Sequence, residues 1–293
     1  MIDGGTIALL GFLALFLLLF IRTPVGIAML LVGTVGIFSI RSKAALPTLA
    51  GEIFNEASNY TLIIIPLFVL MANLVGTAGM SRDLYDAAHK WLGHFKGGLA
   101  SATVVGCAGL SALSGSSIAA ALTMGRVSLP EMKKFRYDDG LATGAIAAGG
   151  TLGILIPPSA GFVIYATLTE VSVGQLFMAG ILPGLLLTVL FITAIWIVVT
   201  RNQNLAPLSS SPASLAKKLS SLRRASWIIG IITLTTGGIY AGIFSAVEAA
   251  GIGVFFAFVI AALRRTLTRK SMLEIITRTL ESCGTIFLIL FGA

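Results

Sequence analysis

Charge-free apolar runs dominate this sequence, and they leave few folds open. Residues 6–21, 25–40, 62–79, 141–156, 173–200, 227–240 and 249–263 contain no Lys, Arg, Asp or Glu. With tilt and flanking residues, such runs approach the roughly 20 residues that a helical membrane span needs. Only 11% of the 293 residues are charged, against about a quarter in soluble domains, and the mean hydropathy is +0.98. The reading is an all-α polytopic membrane protein. An outer-membrane barrel would show short alternating segments instead. The net charge of +8 does not point to nucleic acid, because the cations gather in short loops, where they report topology. Cys107 and Cys283 each sit in an apolar segment and read as small buried residues, with no disulfide framework or metal spacing. No Lys or Arg precedes the first apolar run, so it reads as a first membrane helix and not as a leader.

Taken in order, residues 1–80 form a first set of scaffold helices, with Pro66 near the start of the third span opening its hydrogen-bond ladder. Residues 44–59 read as a surface loop or interfacial helix. Residues 81–97 change character: Leu84, Ala87, Ala88, Trp91, Leu92 and Phe95 recur at helical spacing between charged positions. That pattern predicts an amphipathic helix along the interface, with Trp91 as an anchor. His89 and His94 are five apart, off a shared helical face, and do not read as a metal pair.

Residues 98–200 hold two interruptions at membrane depth. The first is the stretch Ser111-Ala112-Leu113-Ser114-Gly115-Ser116-Ser117, between apolar arms, residues 98–110 and 118–129, of about 13 residues, each too short to cross a core of about 30 Å. Lys96 precedes the arms, and Arg126, Lys133, Lys134 and Arg136 follow, so both ends belong on one side, the cytoplasmic one. This predicts a re-entrant helical hairpin. The second interruption is Pro157-Pro158, which breaks the helix that begins after Asp138 and Asp139. Lipid tolerates broken backbone only where protein or a water-filled cavity surrounds it, and paired breaks of this kind build the binding sites of secondary transporters. The two breaks are therefore expected to meet near mid-membrane. Residues 173–200 form a further span containing Pro183-Gly184. Residues 201–225, Ser-rich with Pro207 and Pro212 and then four cations, read as a cytoplasmic linker.

Residues 226–293 repeat the order of the first 80 with opposite starting side, the pattern of an inverted repeat. Residues 283–293 are too few to cross a bilayer, so the sequence reads as the first part of a longer one, with a second hairpin and a second Pro-broken helix expected beyond. An intramembrane serine hydrolase would need a base near Ser116, and no His or Lys lies at membrane depth. An ion channel also contains hairpins and broken helices, but the inverted order favours a transporter.

Several segments together resemble the large membrane subunit of TRAP (tripartite ATP-independent periplasmic) transporters, the DctM type. They are Ile65-Pro66-Leu67-Phe68-Val69-Leu70-Met71, Gly97-Gly98-Leu99-Ala100, Ser114-Gly115-Ser116-Ser117, Gly150-Thr151-Leu152-Gly153-Ile154-Leu155-Ile156-Pro157-Pro158-Ser159, Ser172-Val173-Gly174-Gln175-Leu176-Phe177 and Ala179-Gly180-Ile181-Leu182-Pro183-Gly184. Two positions depart from the family pattern: Ala246 stands where a Pro is usual before Glu248, and Ala72-Asn73 stands where Gly-Glu is common. The resemblance implies an elevator-type transporter in the bacterial inner membrane. It would be driven by sodium ions and import a carboxylate solute delivered by a periplasmic solute-binding protein, beside a small four-helix membrane subunit. It also implies sodium ligands among side-chain or backbone oxygens of Gly115, Ser116, Ser117, Thr151, Gly153 and Pro157. Solute contacts are expected from Ser114, Ser116 and Asn73.

Overall fold

A computed structural model describes residues 4–40, 45–207 and 213–292. Every regular element among them is helical. Arg41 and Lys43 after the second span, and Pro212 of the linker, lie outside the described residues. Two compact units are present, one made of residues 4–63 with 278–292 and the other of residues 64–277.

In the first unit α1 (Gly4–Phe20) and α2 (Val25–Ile40) are joined by a tight turn with Arg22 in left-handed backbone. Both are apolar all round, and Phe12, Phe16 and Phe20 are largely exposed, as expected of helices whose solvent is lipid. The stretch read as a loop or interfacial helix is α3 (Ala45–Ala57). A 3₁₀ turn, Tyr60–Ile63, follows.

The second unit holds the interruptions. Its α4 (Ile64–Thr77) carries Pro66 in its first turn, where N–H groups have no intrahelical partner anyway, so the proline opens no ladder. The amphipathic stretch forms α5 (Met80–Leu92). The hairpin arms are α6 (Gly98–Ser114) and α7 (Ser117–Lys134), 17 and 18 residues long. The first exceeds the expected 13 because Ser111 to Ser114 stay helical, and the second because it continues through Pro130 to Lys134; small hydroxyl side chains do not end a helix whose surroundings are packed. In α6 all but Val105, Ala108 and Gly109 are buried, with α8, α5, α7, α10 and α4 around it, so this arm is the centre of the unit.

Asp138 caps α8 (Asp139–Leu155), its carboxylate accepting the Leu141 N–H at 3.0 Å. The second half after the break is α9 (Ala160–Thr169). Helix α10 (Val173–Arg201) runs unbroken through Pro183. A short 3₁₀ turn, Gln203–Leu205, leads into α11 (Leu215–Tyr240), which overturns part of the expected linker: its residues 215–225 are helical. The reason is an amphipathic repeat, with Ser221, Ala225 and Ile228 buried at helical spacing beneath exposed cations. Helix α12 (Ala246–Leu263) opens with a capping box in which Ser245 and Glu248 bond each other's backbone, so the missing proline leaves an ordinary helix start. It packs along α4, Gly253 facing Met71. Residues 283–292, read as too few to cross a bilayer, are the end of a longer helix, α13 (Arg269–Gly292). Among the described residues, five segments are long and apolar enough to cross a membrane: Tyr60–Thr77, Asp139–Thr169, Val173–Arg201, Ala246–Leu263 and Arg269–Gly292.

Candidate functional site

The hairpin turn is only two residues long. Gly115 ends α6 in left-handed backbone (φ 58°), its N–H bonding the Ser111 carbonyl at 3.1 Å. A side chain there would be strained, and its Cβ would stand 2.7 Å from the Pro158 carbonyl oxygen. Ser116 is extended and caps α7, its hydroxyl accepting the Ala119 N–H at 3.3 Å. Ser114 is buried, its hydroxyl 3.5 Å from both the N–H and the carbonyl of Ser116.

The second interruption is built in the same way. Helix α8 ends with the Ile156 N–H bonded to the Leu152 carbonyl at 2.8 Å; Pro157 and Pro158 follow, joined by a cis peptide bond. Ser159 then stands at the start of α9 with φ −127° and ψ 128°, close to the −129° and 120° of Ser116. Unlike Ser116, its side chain makes no cap bond.

The two interruptions meet. The Gly115 carbonyl accepts the Ala160 N–H at 3.3 Å, a direct bond from turn to break. One turn earlier, a Cβ on Gly153 would lie 2.7 Å from both the Ser116 carbonyl carbon and the Ser117 nitrogen. Gly150 faces Ala121 and the Ser117 carbonyl, and Gly149 faces Cys107 and Val104, so this face of α8 lets both hairpin arms approach. From the other side, α10 brings Gly180 to the Leu155 carbonyl and Gly184 to Ile156, which explains small residues on both sides of Pro183.

Four helix ends thus converge: the C-terminal ends of α6 and α8, and the N-terminal ends of α7 and α9. C-terminal ends present carbonyls with partial negative charge, suited to a cation; N-terminal ends present N–H groups suited to an anion. Every side chain named at the junction is uncharged, so these partial charges and the hydroxyls set its chemistry.

Of the residues singled out in the sequence, Gly115, Ser116, Ser117, Gly153 and Pro157 belong to this junction, and Ser114 closes the turn. Thr151 is exposed, with its hydroxyl donating to the Ala148 carbonyl of its own helix at 2.6 Å. Asn73 lies half-buried on α4. Two hydroxyls of the interrupted stretches that were not named as ligands stand forward instead. Ser159 is 2% exposed and Ser111 fully buried, and among the described residues neither side-chain oxygen makes a hydrogen bond. A buried hydroxyl without a partner costs about 1–3 kcal/mol. Ser159 was inside a quoted motif, but composition could not tell which serines cap helices and which remain unpaired.

Comparison with known proteins places these motifs in context. The family profile described as the tripartite ATP-independent periplasmic transporter, DctM component, matches residues 12–293. The C4-dicarboxylate TRAP transporter large permease protein DctM of Pseudomonas aeruginosa is 41% identical over 219 residues, 74% of this chain and 51% of that protein. The ectoine/5-hydroxyectoine TRAP transporter large permease protein UehC of Ruegeria pomeroyi is 32% identical over 282 residues, 96% of this chain and 64% of that protein. The sialic acid TRAP transporter large permease protein SiaM of Vibrio cholerae is 30% identical over 277 residues, 94% of this chain and 64% of that protein. The chain spans about half to two thirds of the length of these relatives.

Proposed function

Because the chain belongs to the family of DctM components of tripartite ATP-independent periplasmic transporters, we propose that it forms part of a large permease subunit that couples sodium entry to import of a carboxylate solute. The elevator-type inverted repeat expected from the sequence is part of this proposal. So are a location in the bacterial inner membrane and two partners, a periplasmic solute-binding protein and a small four-helix membrane subunit.

One observation carries the reading: two backbone interruptions, hydrogen-bonded to each other through Gly115 and Ala160, within apolar segments. Sodium is a hard cation and takes oxygen ligands, as other hard cations do. The carbonyls at the ends of α6 and α8 would supply some of them, with the unpaired Ser159 hydroxyl completing the shell. Gly115, Ser116, Gly153 and Pro157 would contribute through backbone oxygens, since the Ser116 side chain is engaged as a cap. Ser117 opens α7, and its backbone faces Gly153. Thr151 would take part only by leaving its bond to Ala148. The first turns of α7 and α9 offer N–H groups to a carboxylate. Relatives named for C4-dicarboxylates and for sialic acid support a carboxylate. Ser114 sits at the turn for such a contact, whereas a role for Asn73 would need α4 to border the solute.

The test is uptake into proteoliposomes holding the full-length permease and small subunit, with the binding protein outside and labelled C4-dicarboxylate or sialic acid as solute. The expected result is saturable uptake that requires an inward sodium gradient and the binding protein. Uptake unchanged when potassium replaces sodium, or sodium flux without solute as in a channel, would contradict the proposal.

A further inference from the structure

At the opposite end of the hairpin from its turn, α5 and α7 run side by side and enclose a cavity of about 500 Å³. Its floor contains Tyr85, which is 3% exposed. The Tyr85 hydroxyl is buried and makes no hydrogen bond among the described residues; the Thr103 hydroxyl donates instead to the Leu99 carbonyl at 2.9 Å.

Charge in the cavity is unevenly matched. Among its carboxylates, Asp83 is held at 2.7 Å by Arg264, from outside the cavity. Asp86 is held at 2.9 Å by Lys90, also from outside, and at 3.2 Å by Arg224. That leaves Glu131, half-buried and without an ion pair among the described residues, facing Arg82, Arg126 and Lys134, which also lack one. Lys134 meets only the Phe135 ring, at 5.8 Å. Cations therefore outnumber carboxylates around the cavity. Arg82 on α5 and Arg126 on α7 bring two unpaired guanidinium groups to one cavity from opposite helices. Guanidinium forks match the tetrahedral oxygens of a phosphate two at a time, and mutual repulsion is relieved when an anion sits between them.

We propose that this cleft between α5 and α7 binds a net-anionic phosphate, either as the headgroup of a membrane lipid or as free phosphate. Arg82 and Arg126 grip the oxygens, Lys134 neutralises the remaining charge, and the Tyr85 hydroxyl gains a partner. Glu131 opposes binding and keeps the site weak enough for exchange. The volume exceeds that of a phosphate alone and leaves room for a glycerol headgroup with water. The site is independent of the turn–break junction and of any transport role.

The test is thermal unfolding of the chain in neutral detergent with added phosphatidylglycerol, phosphatidylcholine or inorganic phosphate at matched ionic strength. Phosphatidylglycerol is expected to stabilise the protein where phosphatidylcholine does not. Arg82→Gln and Arg126→Gln should each weaken that binding about tenfold, the loss of one charge-assisted bond. Glu131→Gln should strengthen it. If inorganic phosphate stabilises with the same arginine dependence, the source is free phosphate; if only the lipid does, it is a headgroup. The proposal is overturned if neither ligand stabilises the protein, or if the arginine variants bind as the parent does. Should Arg126→Gln fail to fold, Arg82→Gln and Glu131→Gln decide, because they predict opposite shifts.

Discussion

Gly153 is the position where one methyl group does most harm. Its Cα faces the Ser116 and Ser117 backbone at distances a Cβ would bring to 2.7 Å, and backbone cannot swing away as a side-chain tip can. Gly153→Ala should therefore destabilise the protein by about 1–3 kcal/mol, the usual range for overpacking, and should abolish uptake in the full-length permease. Gly144→Ala on the same helix is the control: nothing lies within 4 Å of the new methyl, so helix propensity alone should leave stability unchanged or raised. Chemical or thermal unfolding of both variants checks the pair; equal effects would mean that the α8–α7 contact is not tight. At Ser116, by contrast, alanine removes the α7 cap as well as a candidate ligand, a loss of about 1 kcal/mol by itself, so that substitution confounds two roles. Ser159 makes no cap bond and is the cleaner probe. The sequence exposed both serines as hydroxyls near a break. Which one would be occupied depended on backbone geometry that no spacing rule reports.

Helix α5 shows what pairing elements adds to a pattern. Its amphipathic character was legible from residues 81–96, and Ala87 and Ala88 are buried as expected. Trp91, read as a lipid anchor, is half-exposed with the Lys218 ammonium 5.4 Å from its ring. The partner supplying that lysine is the first part of α11, which had been read as linker because its four cations outweighed the weaker repeat of Ser221, Ala225 and Ile228. Against α7, α5 presents His89, whose ring meets Phe135 edge-on. Burial pushes the His89 imidazole below its ordinary 6.5, while the Asp86 and Glu131 carboxylates pull the other way. A histidine that holds its proton more weakly when folded favours the folded state fully above about pH 6.5; the unfolded chain binds more protons as the pH falls below that value. Stability should thus decline on acidification from about pH 7 towards 5.5. His89→Gln should flatten that part of the profile. A thermal-unfolding profile with the same slope in the variant would assign the pH dependence to other groups.

Across the whole chain, the class and the two interruptions were legible because lipid makes broken backbone conspicuous: Gly, Ser and Pro at membrane depth need a protein partner. The meeting of the hairpin turn with the Pro157-Pro158 break follows from that requirement, and the structure supplies its bond from Ala160 to Gly115. Helix ends were less legible. The arms reach closer to the turn than composition suggested, and α13 joins a polar and an apolar piece, because tertiary packing and helix cooperativity extend elements past local signals. Sodium binding at the junction, with the Ser159 hydroxyl as a ligand, can be read by sodium titration of the purified full-length permease, followed by thermal unfolding, with choline as the reference cation. A bound ion stabilises the folded state in proportion to its occupancy. Sodium is expected to stabilise the parent. Ser159→Ala should be the more stable protein in choline, by roughly 1 kcal/mol, because an unpaired buried hydroxyl is gone, yet should need about tenfold more sodium for half of the effect. A Ser159→Ala variant with the parent's sodium midpoint, or a parent indifferent to sodium, would contradict that mode of binding.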